Sequence, residues 1–507
     1  MTAPERDPGR ALLVGEIFRR NAAVVPDRPA AALGKHALTH AELNDAGNRL
    51  AWSLREHGIG HGDRVVTWAD TSLDLLPLFV ALAKLGAVFA PLNARLGATE
   101  AAEVGRLARG ALLVTDAERS AEADTVANTC GIPKTATLPG GRAGWVLDPA
   151  VLPARDEEPT EPALCETDPH VIFFTSGSTG RPKGVVLSHR ANWLRGFQGV
   201  FRDEPERTVC MFPLFHMAAF TLALAAWQTR GEIIFVASPT APALLEAMES
   251  RRANRFYGIP LVWSRILAED TSRFDLSSLR ELDTGTSATP IELIRALKER
   301  FPGTRTRIYY GSTEVGSATT LPDADVLSKP GSVGPASPGV DLRLSEEGEI
   351  LVRSPYQMCR YFDDPEATDA ALAGGWFHTG DLGVLDAEGC LSVVGRKKEI
   401  IRTGGESVSP VEVEQALADA PGVAEISIVG VADPEWGEVV CAVVVPADGA
   451  KPSLAGLHAH GDGTLAGFKK PRRLFCVDAL PRTAATGQVQ RTLLVERIAS
   501  GALEASE

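Results

Sequence analysis

In the first third of the chain, the earliest clear pattern is a set of hydrophobic residues that recur with the period of an α-helix. Thr39 and Glu42 stand three residues apart, which is the spacing of a capping box at the start of a helix. After them, Leu43, Leu50 and Leu54 recur at intervals that place them on one side of that helix. The pattern predicts an amphipathic helix whose leucine side faces a core.

Apolar runs of strand length then alternate with helical stretches. GDRVVTWAD (62–70) predicts a strand, a helix follows, and GAVFAPLN (86–93) predicts the next strand. Repeated strand–helix–strand units are typical of an α/β fold with mixed or parallel sheets covered by helices. The most apolar stretch, residues 73–92, contains Asp74, Pro77 and Lys84, so it predicts a buried helix and a strand rather than a membrane span.

The pattern changes near residue 395, which predicts a second domain in a chain of 507 residues. GRKKEIIRTGGESVSPVEVEQAL places a basic turn and a Gly–Gly loop before a helix, and ISIVGV and VVCAVVVP predict strands. We expect an N-terminal domain over 1–397 and a small α+β domain over 398–507, with a hinge near Lys398. The Pro/Glu-rich segment 153–162 is expected to be an exposed linker.

Composition narrows the classes of partner. The net charge is −14 and the pI is about 5.3, which disfavours a nucleic acid or an anionic membrane as the partner. The seven cysteines include no CxxC pair, so we expect reduced thiols and a cytoplasmic protein. The N-terminus, MTAPERDPGR, lacks the apolar core of a signal peptide.

One motif indicates phosphate chemistry. An apolar strand runs into TSGSTGRPKG (175–184), whose glycines let the backbone approach an anion and whose Lys183 adds a positive charge. It is not a Walker A loop, because Pro182 precedes the lysine and Gly184 follows it where Ser or Thr is needed. A flexible Gly/Ser turn is the less favoured alternative. The hydroxyl donors of the loop are Thr175, Ser176, Ser178 and Thr179.

TSGSTGRPKG is similar to the signature of the adenylate-forming (ANL) superfamily, which includes acyl-CoA synthetases, firefly-type luciferases and peptide-synthetase adenylation domains. Six more segments resemble family motifs in order: PLFHMAA (213–219), YYGSTEVG (309–316), GEILVRSP (348–355), GWFHTGDLG (375–383), GRKKEIIRTGGESVSP (395–410) and LPRTAATGQVQR (480–491). The resemblance implies a large N-terminal domain and a mobile C-terminal lid.

The resemblance also implies two half-reactions. A carboxylate first attacks the α-phosphate of ATP, which gives acyl-AMP and pyrophosphate. The thiol of CoA then attacks the acyl carbonyl and expels AMP, after the lid has turned. The expected small molecules are therefore a carboxylic acid or its acyl-adenylate, CoA, and ATP or AMP, with Mg²⁺ for any adenylation.

The nucleotide roles follow from the motifs. The resemblance implies that residues 175–183 hold the β- and γ-phosphates, that Thr313 contacts phosphate and that Glu314 binds Mg²⁺. It further implies that Tyr310 stacks on adenine and that Asp381 accepts hydrogen bonds from the ribose hydroxyls.

Other roles concern the ribose and the lid. The resemblance implies that Arg396 contacts the ribose and that Lys398 is the hinge residue which absorbs the dihedral change between two lid poses. It also implies that Gly404 and Gly405 let the pantetheine arm of CoA pass close to the backbone. The alternatives are a surface acid at 314, core packing at 310, a turn cap at 381 and ordinary basic-turn residues at 396 and 398.

The acyl site is implied by PLFHMAA. His216 would face the acyl pocket and gate it by rotating, although a single histidine in an apolar stretch is more often a core residue. No aspartate follows it to pair with an amine, which disfavours an amino-acid substrate. Small and apolar neighbours favour a bulky hydrophobic acid. The predicted pocket residues are Phe215, Met217, Ala218, Ala219 and Gly316.

Two segments depart from the family pattern. DTGTSATP (283–290) replaces the usual Gly-Gly-Ala at the adenine and acyl edge of the pocket. At the end of the lid, Thr486-Gly487 is followed by Gln488 where the family has lysine, and no lysine occurs after Lys470. The family's lysine neutralises the substrate carboxylate and the α-phosphate as the two anions meet. Loss of one such transition-state donor costs about 10²–10³ in rate.

The leading hypothesis is therefore a split reaction. The protein would form acyl-CoA from an acyl-adenylate and CoA, with adenylation weak or lost and the adenylate supplied by a separate enzyme. One alternative is a complete ATP-dependent acyl-CoA synthetase in which Arg482 or Arg491 substitutes for the lysine. The other is a non-catalytic acyl-adenylate binder, which the CoA-related stretch 396–405 disfavours.

Overall fold

The computed structural model describes six ranges of the chain: 8–142, 144–155, 157–176, 182–197, 204–483 and 487–506. Its α-helices within these ranges are α1 Gly15–Val24, α2 His40–Glu56, α3 Leu75–Leu85, α4 Ala98–Leu107, α5 Ala123–Cys130, α6 His189–Gly196, α7 Met217–Gln228, α8 Ala241–Ser250, α9 Pro260–Ala268, α10 Ile291–Arg300, α11 Pro365–Ala371, α12 Pro410–Leu417, α13 Leu454–His460 and α14 Arg491–Ala499.

Strands form four sheets. They are β1 Pro29–Leu33, β2 His36–Thr39, β3 Arg64–Trp68, β4 Val88–Pro91, β5 Leu112–Thr115, β6 Thr135–Thr137, β7 Pro169–Ser176, β8 Pro182–Ser188, β9 Arg207–Cys210, β10 Glu232–Phe235, β11 Arg255–Tyr257, β12 Glu281–Gly285, β13 Arg305–Ser312, β14 Gly316–Leu321, β15 Ser332–Gly334, β16 Asp341–Leu344, β17 Glu349–Arg353, β18 Arg360–Tyr361, β19 Phe377–Leu385, β20 Leu391–Arg396, β21 Ile401–Thr403, β22 Glu406–Val408, β23 Val423–Asp433, β24 Gly437–Pro446 and β25 Arg473–Cys476.

Two large mixed sheets make up most of the N-terminal part. One has the order β14-β13-β12-β11-β9-β10-β1-β2 and is parallel except at its two ends. The other has the order β18-β8-β7-β4-β3-β5-β6, in which only the β7–β8 and β8–β18 pairs are antiparallel. Helices cover these sheets, so the predicted α/β class with mixed and parallel sheets is confirmed.

The helical and strand patterns of the first hundred residues are confirmed. Thr39 Oγ1 accepts from the Glu42 backbone N–H at 3.1 Å, and the Glu42 carboxylate accepts from the Thr39 N–H at 2.8 Å, which is the predicted capping box. The three leucines of α2 are fully buried against α3 and the sheet. In the described part of the chain, no helix is long and apolar enough to cross a membrane.

The segment 153–162 is mostly exposed, as expected, but it is also bonded to two helices. Glu158 pairs with the buried Lys84 of α3 at 2.8 Å and also accepts from Asn44. Backbone carbonyls of the same segment accept from Trp52 and Arg55 of α2. These bonds fasten it to the surface of the two helices because a buried ammonium needs a compensating partner.

Two smaller sheets lie at the end of the chain. An antiparallel sheet with the order β15-β20-β19-β17-β16 ends the N-terminal part. The C-terminal sheet has the order β22-β21-β24-β23 with β25 beside β24, and α12, α13 and α14 accompany it. Its apolar side chains form clusters separate from the main core. The large N-terminal and small C-terminal domains are confirmed, while the boundary at 397/398, between β20 and β21, stays a prediction.

Candidate functional site

The two ends of the predicted phosphate loop lie on paired strands. β7 and β8 pair antiparallel, and the last pairs are Thr175 with Lys183 and Ser176 with Pro182. Ser178 and Thr179 lie outside the described residues, and Ser176 ends β7. A Cβ added at Gly184 would lie 2.9 Å from Ile172, so packing inside β8 requires a glycine here, and its role toward an anion stays a prediction.

Glu314 lies beside this hairpin. It follows Thr313 in the turn between β13 and β14, and both residues are half-buried. The Tyr361 hydroxyl donates to a Glu314 carboxylate oxygen at 3.1 Å, and Lys183 Nζ lies 4.7 Å from the centroid of the Tyr361 ring. Lys183 of the predicted phosphate loop and Glu314, the predicted metal ligand, therefore both contact Tyr361.

The donor set around Glu314 fits Mg²⁺. No group of three or more His, Cys, Asp or Glu side chains forms a metal cage in the described ranges. Mg²⁺ rarely needs such a cage, because it is usually bound by one or two carboxylates together with substrate phosphates and water. Glu314 would hold the ion, which would neutralise phosphate charge when bound.

Tyr310, Asp381 and Arg396 form the second part of the site. The Tyr310 hydroxyl donates to Asp381 Oδ2 at 2.7 Å, and Arg396 Nε lies 3.0 Å from Asp381 Oδ1. Asp381 and Arg396 are register partners on β19 and β20, which fixes their approach. Burial raises the pKa of the Asp381 carboxyl, although the Arg396 charge acts in the opposite direction. The ribose and adenine roles of the three residues stay predictions.

His216 stands at the start of α7. Its Nδ1 accepts from the Ala218 backbone N–H at 3.2 Å and so caps the helix. The ring stacks on Phe212 with centroids 5.4 Å apart, and burial lowers its pKa to about 4. His216 is therefore neutral at pH 7 with its proton on Nε2, and its gating role stays a prediction.

The predicted acyl residues occupy different depths. Met217 and Ala219 are buried in the main core, whereas Phe215 and Ala218 are half-buried. Gly316 has a φ of +71°, and a Cβ added there would lie 2.8 Å from the Tyr356 ring. Position 316 therefore has no room for a side chain.

The glycine turn of the lid lies between β21 and β22. Gly404 and Gly405 have φ values of +57° and +84°. A Cβ added at Gly404 would lie 2.8 Å from the Trp436 ring, and the Arg472 guanidinium lies 3.8 Å from the centroid of that ring. Lys398 is exposed in the turn between the last N-terminal strand and the first lid strand.

Gln488 lies at the tip of a lid hairpin that touches the N-terminal domain. Arg482 and Val489 form an antiparallel bridge, and Thr483 Oγ1 accepts from the Gln488 backbone N–H at 3.1 Å. Gln488 Nε2 donates to the Thr286 carbonyl at 2.9 Å. Thr286 belongs to DTGTSATP and has a φ of +67°, a strained value for a β-branched residue. The two departures from the family pattern therefore meet.

The two arginines considered as substitutes for the missing lysine are engaged elsewhere. Arg482 donates to the Gly487 carbonyl at 2.8 Å and pairs with Glu425 at 2.6 Å. Arg491 pairs with Glu399 and Glu414, each at 2.7 Å. Residues 484–486, which precede Gly487, lie outside the described residues.

Comparison with known proteins gives the family of the chain. The model of the AMP-binding enzyme family matches residues 18–362, and the model of the AMP-binding enzyme C-terminal domain matches 412–486. The chain belongs to the AMP-binding enzyme family. Acyl-CoA ligases of this family use ATP, CoA and Mg²⁺, and this AMP-binding enzyme is an acid–thiol ligase of that kind.

Relatives and solved structures cover almost the whole AMP-binding enzyme. It is 36% identical over 492 residues to a feruloyl-CoA synthase of an Amycolatopsis species, covering 93% of this chain and 97% of the relative. It is 34% identical over 498 residues to an indoleacetate–CoA ligase of Aromatoleum aromaticum, covering 94% and 96%. The ATP-bound structure of MatB from Rhodopseudomonas palustris superposes with a TM-score of 0.85 at 29% identity, covering 95% and 98%.

Sequence reasoning missed several contacts of this AMP-binding enzyme. Trp436 lies against Gly404 and Arg472 lies over the Trp436 ring, and the signal was an isolated tryptophan in DPEWGE and the basic run KKPRR. Tyr361 had no such signal, because its importance lies in a contact to Glu314 from 47 residues away. Thr286 was noticed only as a departure from the family, and not as the partner of the lid.

Proposed function

We propose that this acyl-CoA ligase is specialised for the second half-reaction. It takes an acyl-adenylate and CoA, the CoA thiol attacks the acyl carbonyl, and AMP leaves as the thioester forms. Adenylation from ATP is weak or absent, so a separate adenylating enzyme supplies the acyl-AMP. The observation that carries this proposal is the contact of the neutral Gln488 with Thr286, at the lid position where the family resemblance implies a lysine.

The surroundings of Gln488 support the proposal. Its amide nitrogen bonds a neutral backbone carbonyl of Thr286, and this contact requires no charge. Gly487 lies against the N-terminal domain as well, since a Cβ added there would be 3.1 Å from Ile259. The hairpin tip thus reaches the N-terminal domain but brings a neutral group to it.

The absence of a cation matters in one step more than in the other. Adenylation brings a carboxylate to the α-phosphate, and two anions approach most easily where a fixed positive charge opposes their repulsion. A glutamine amide donates hydrogen bonds but supplies no charge. Thioester formation starts from an acyl-adenylate in which that repulsion has already been overcome, so the lysine is dispensable there.

The complete two-step ligase is the second candidate. It needs a cation in place of the lysine, and the nearest arginines of the lid, Arg482 and Arg491, are bonded to lid carboxylates. Either would have to break an ion pair, and Arg491 would have to break two, to reach the substrate. The binder alternative is disfavoured by the glycine turn at Gly404, which is packed against Trp436 where a CoA arm could pass.

The acid is proposed to be bulky and hydrophobic, with an aromatic group. Two relatives are named for feruloyl and indoleacetate substrates, both of which carry an aromatic ring. In this chain, Phe215 beside His216 is half-buried, which suits contact with such a group. The other predicted pocket residues are divided between the core and the surface, so they do not identify one particular acid.

A paired assay tests the proposal. Purified protein receives CoA with either ATP, Mg²⁺ and a panel of aromatic acids, or the matching synthetic acyl-AMPs, and thioester is measured by mass spectrometry. We expect thioester from acyl-AMP and about 10²–10³ less from ATP and acid. Equal rates in the two tubes would support the complete ligase and contradict the split reaction. Thioester in neither tube with any acid would support the binder.

A further inference from the structure

Arg195 lies on α6, beneath the turn that carries Glu314. Its Nε donates to the Tyr356 carbonyl at 2.9 Å, and its Nη2 donates to the Glu314 carbonyl at 3.2 Å. The side chain therefore joins the turn after β13 to the segment that leads into β18. Helix α6 follows β8 directly, so the same residue connects the phosphate hairpin with both segments.

This guanidinium is buried, and no carboxylate in the described part of the chain is bonded to it. Arg195 is 3% exposed, and its Nη1 is buried without a hydrogen-bond partner among the described residues. Burial lowers the arginine pKa to about 10, and the charge of Glu314 acts in the opposite direction. A buried cation held only by carbonyls is costly. The cost of burying this arginine is easier to explain if it supports the functional site than if it only packs in the core.

The Glu314 turn is also held at other points. The Met358 N–H donates to the Glu314 carbonyl at 2.6 Å, so that oxygen accepts two bonds. A Cβ at Gly316 would lie 3.3 Å from Arg195 Nε, which leaves the turn no room to shift toward the arginine. On the carboxylate side, Tyr361 donates to one oxygen at 3.1 Å and its ring faces Lys183.

We propose that Arg195 and Tyr361 are positioning residues for Mg²⁺·ATP: Arg195 fixes the backbone of Glu314, and Tyr361 fixes its carboxylate. This inference rests on the proposed metal role of Glu314 and not on the loss of adenylation. Groups of this kind, one layer behind a metal ligand, typically contribute 10–100-fold to metal affinity.

Calorimetry of ATP binding at a series of Mg²⁺ concentrations tests the inference without any turnover. Arg195→Lys keeps the charge but lacks the rigid fork whose Nε and Nη2 reach the two carbonyls, and Arg195→Met keeps the aliphatic stem alone. We expect both to weaken the Mg²⁺-dependent part of ATP affinity by about 10–100-fold. Tyr361→Phe removes one hydroxyl without disturbing the core, and we expect about a tenfold loss.

Two controls separate positioning from folding. Arg190→Met changes another arginine of α6, which pairs with Glu166 at 3.0 Å, and should leave Mg²⁺·ATP affinity unchanged. Thioester formation from acyl-AMP involves no metal and reports whether the variants remain folded. A purely structural role would lower that activity and ATP affinity together, whereas positioning lowers the Mg²⁺-dependent affinity alone.

Three results would overturn the inference. Wild-type affinity in Arg195→Lys would mean that charge, and not the bridge, is what matters. Tighter Mg²⁺ binding in Arg195→Met would mean that the arginine only repels the ion. If the Arg195 variants do not fold, unchanged affinity in Tyr361→Phe decides against the proposal. None of these results depends on whether the wild type adenylates, since only binding is measured.

Discussion

The nucleotide side of the site and the lid loop differ in how their charges are arranged. On the N-terminal side, Asp381 is bonded to both Tyr310 and Arg396, and Glu314 is bonded to Tyr361. On the lid side, the tip that touches this domain carries Gln488, a neutral residue. The arginines on either side of that tip, Arg482 and Arg491, are paired with carboxylates of the range 398–507 rather than offered to substrate.

Under the proposed split reaction, this difference would confine the defect to the lid loop. Glu314 with its tyrosine and Lys183 would still serve nucleotide binding. The neutral residue at 488 would then be the single change that weakens adenylation while the acyl-adenylate is still bound.

Restoring the charge should produce the largest effect. We expect Gln488→Lys to raise adenylation by about 10²–10³, because the missing transition-state charge is returned to a site that otherwise keeps its ATP contacts. Thioester formation from acyl-AMP should change little. The measurement is ATP–pyrophosphate exchange with an aromatic acid, beside thioester formation from the matching acyl-AMP.

The matched control is Gln488→Met, which has similar length and no charge. If the wild type already exchanges pyrophosphate as fast as Gln488→Lys, the lid side is not deficient and the comparison fails. If Gln488→Lys gains nothing, a second defect must exist, and DTGTSATP (283–290), whose Thr286 carbonyl contacts residue 488, is the first segment to examine. Deleting Ala485 corrects the extra residue before Thr486.

Removing the acceptor on the nucleotide side should have the next largest effect. Asp381→Ala deletes the carboxylate that both Tyr310 and Arg396 bond, and that is proposed to accept from the ribose. Each hydrogen bond to a charged group is worth about 1.5–3 kcal/mol, so we expect kcat/KM for acyl-AMP to fall by at least about tenfold. Asp381→Asn retains the shape as the control. Unchanged kcat/KM in the alanine variant would remove Asp381 from the site.

The hinge prediction concerns the turn that joins the two sides. Proline fixes φ and removes an N–H, so Lys398→Pro should hold the lid in one pose and slow thioester formation by about tenfold. Lys398→Ala removes the side chain and leaves φ free, so it should keep most of the rate. Stopped-flow thioester formation compares them. Equal rates in the proline variant and the wild type would contradict a lid that turns at this residue.

Local patterns in the sequence were sufficient for much of the fold. The capping box of Thr39 and Glu42 is a contact over three residues, and the alternation of strands and helices follows from hydrophobic period alone. The phosphate motif located its hairpin, although the reason for Gly184 proved to be contact with Ile172 across the sheet. A spacing rule cannot report such a contact.

The parts that sequence could not predict depend on distant partners. Gln488 and Thr286 are 202 residues apart, and neither has a pattern that names the other. Lys84 and Glu158 are 74 residues apart, so the pattern that predicted an exposed linker at 153–162 could not show that it neutralises a buried ammonium. The sequence likewise carries no sign of the two carbonyls that Arg195 contacts. In each case the partner is fixed by the tertiary fold.

Near neutral pH the smallest expected effect is on stability, and it concerns only the N-terminal side. His189 is fully buried, its Nδ1 accepts from the Val14 N–H at 3.3 Å, and burial lowers its pKa to about 3. The unfolded chain takes up a proton below a pKa of about 6.5 that the folded ring refuses. The contribution of this histidine to the free energy of unfolding is therefore complete above pH 6.5 and is lost as the pH falls toward 3, at about 1.4 kcal/mol per pH unit.

We expect His189→Gln, which keeps an acceptor for Val14, to reduce the pH dependence of the free energy of unfolding between pH 6.5 and 4.5. Urea unfolding followed by tryptophan fluorescence measures this, since Trp68, Trp227 and Trp263 are all buried in the N-terminal domain. The exposed His36→Gln is the control, and an equal pH dependence in wild type and His189→Gln would show that the buried ring is not what makes this side sensitive to acid.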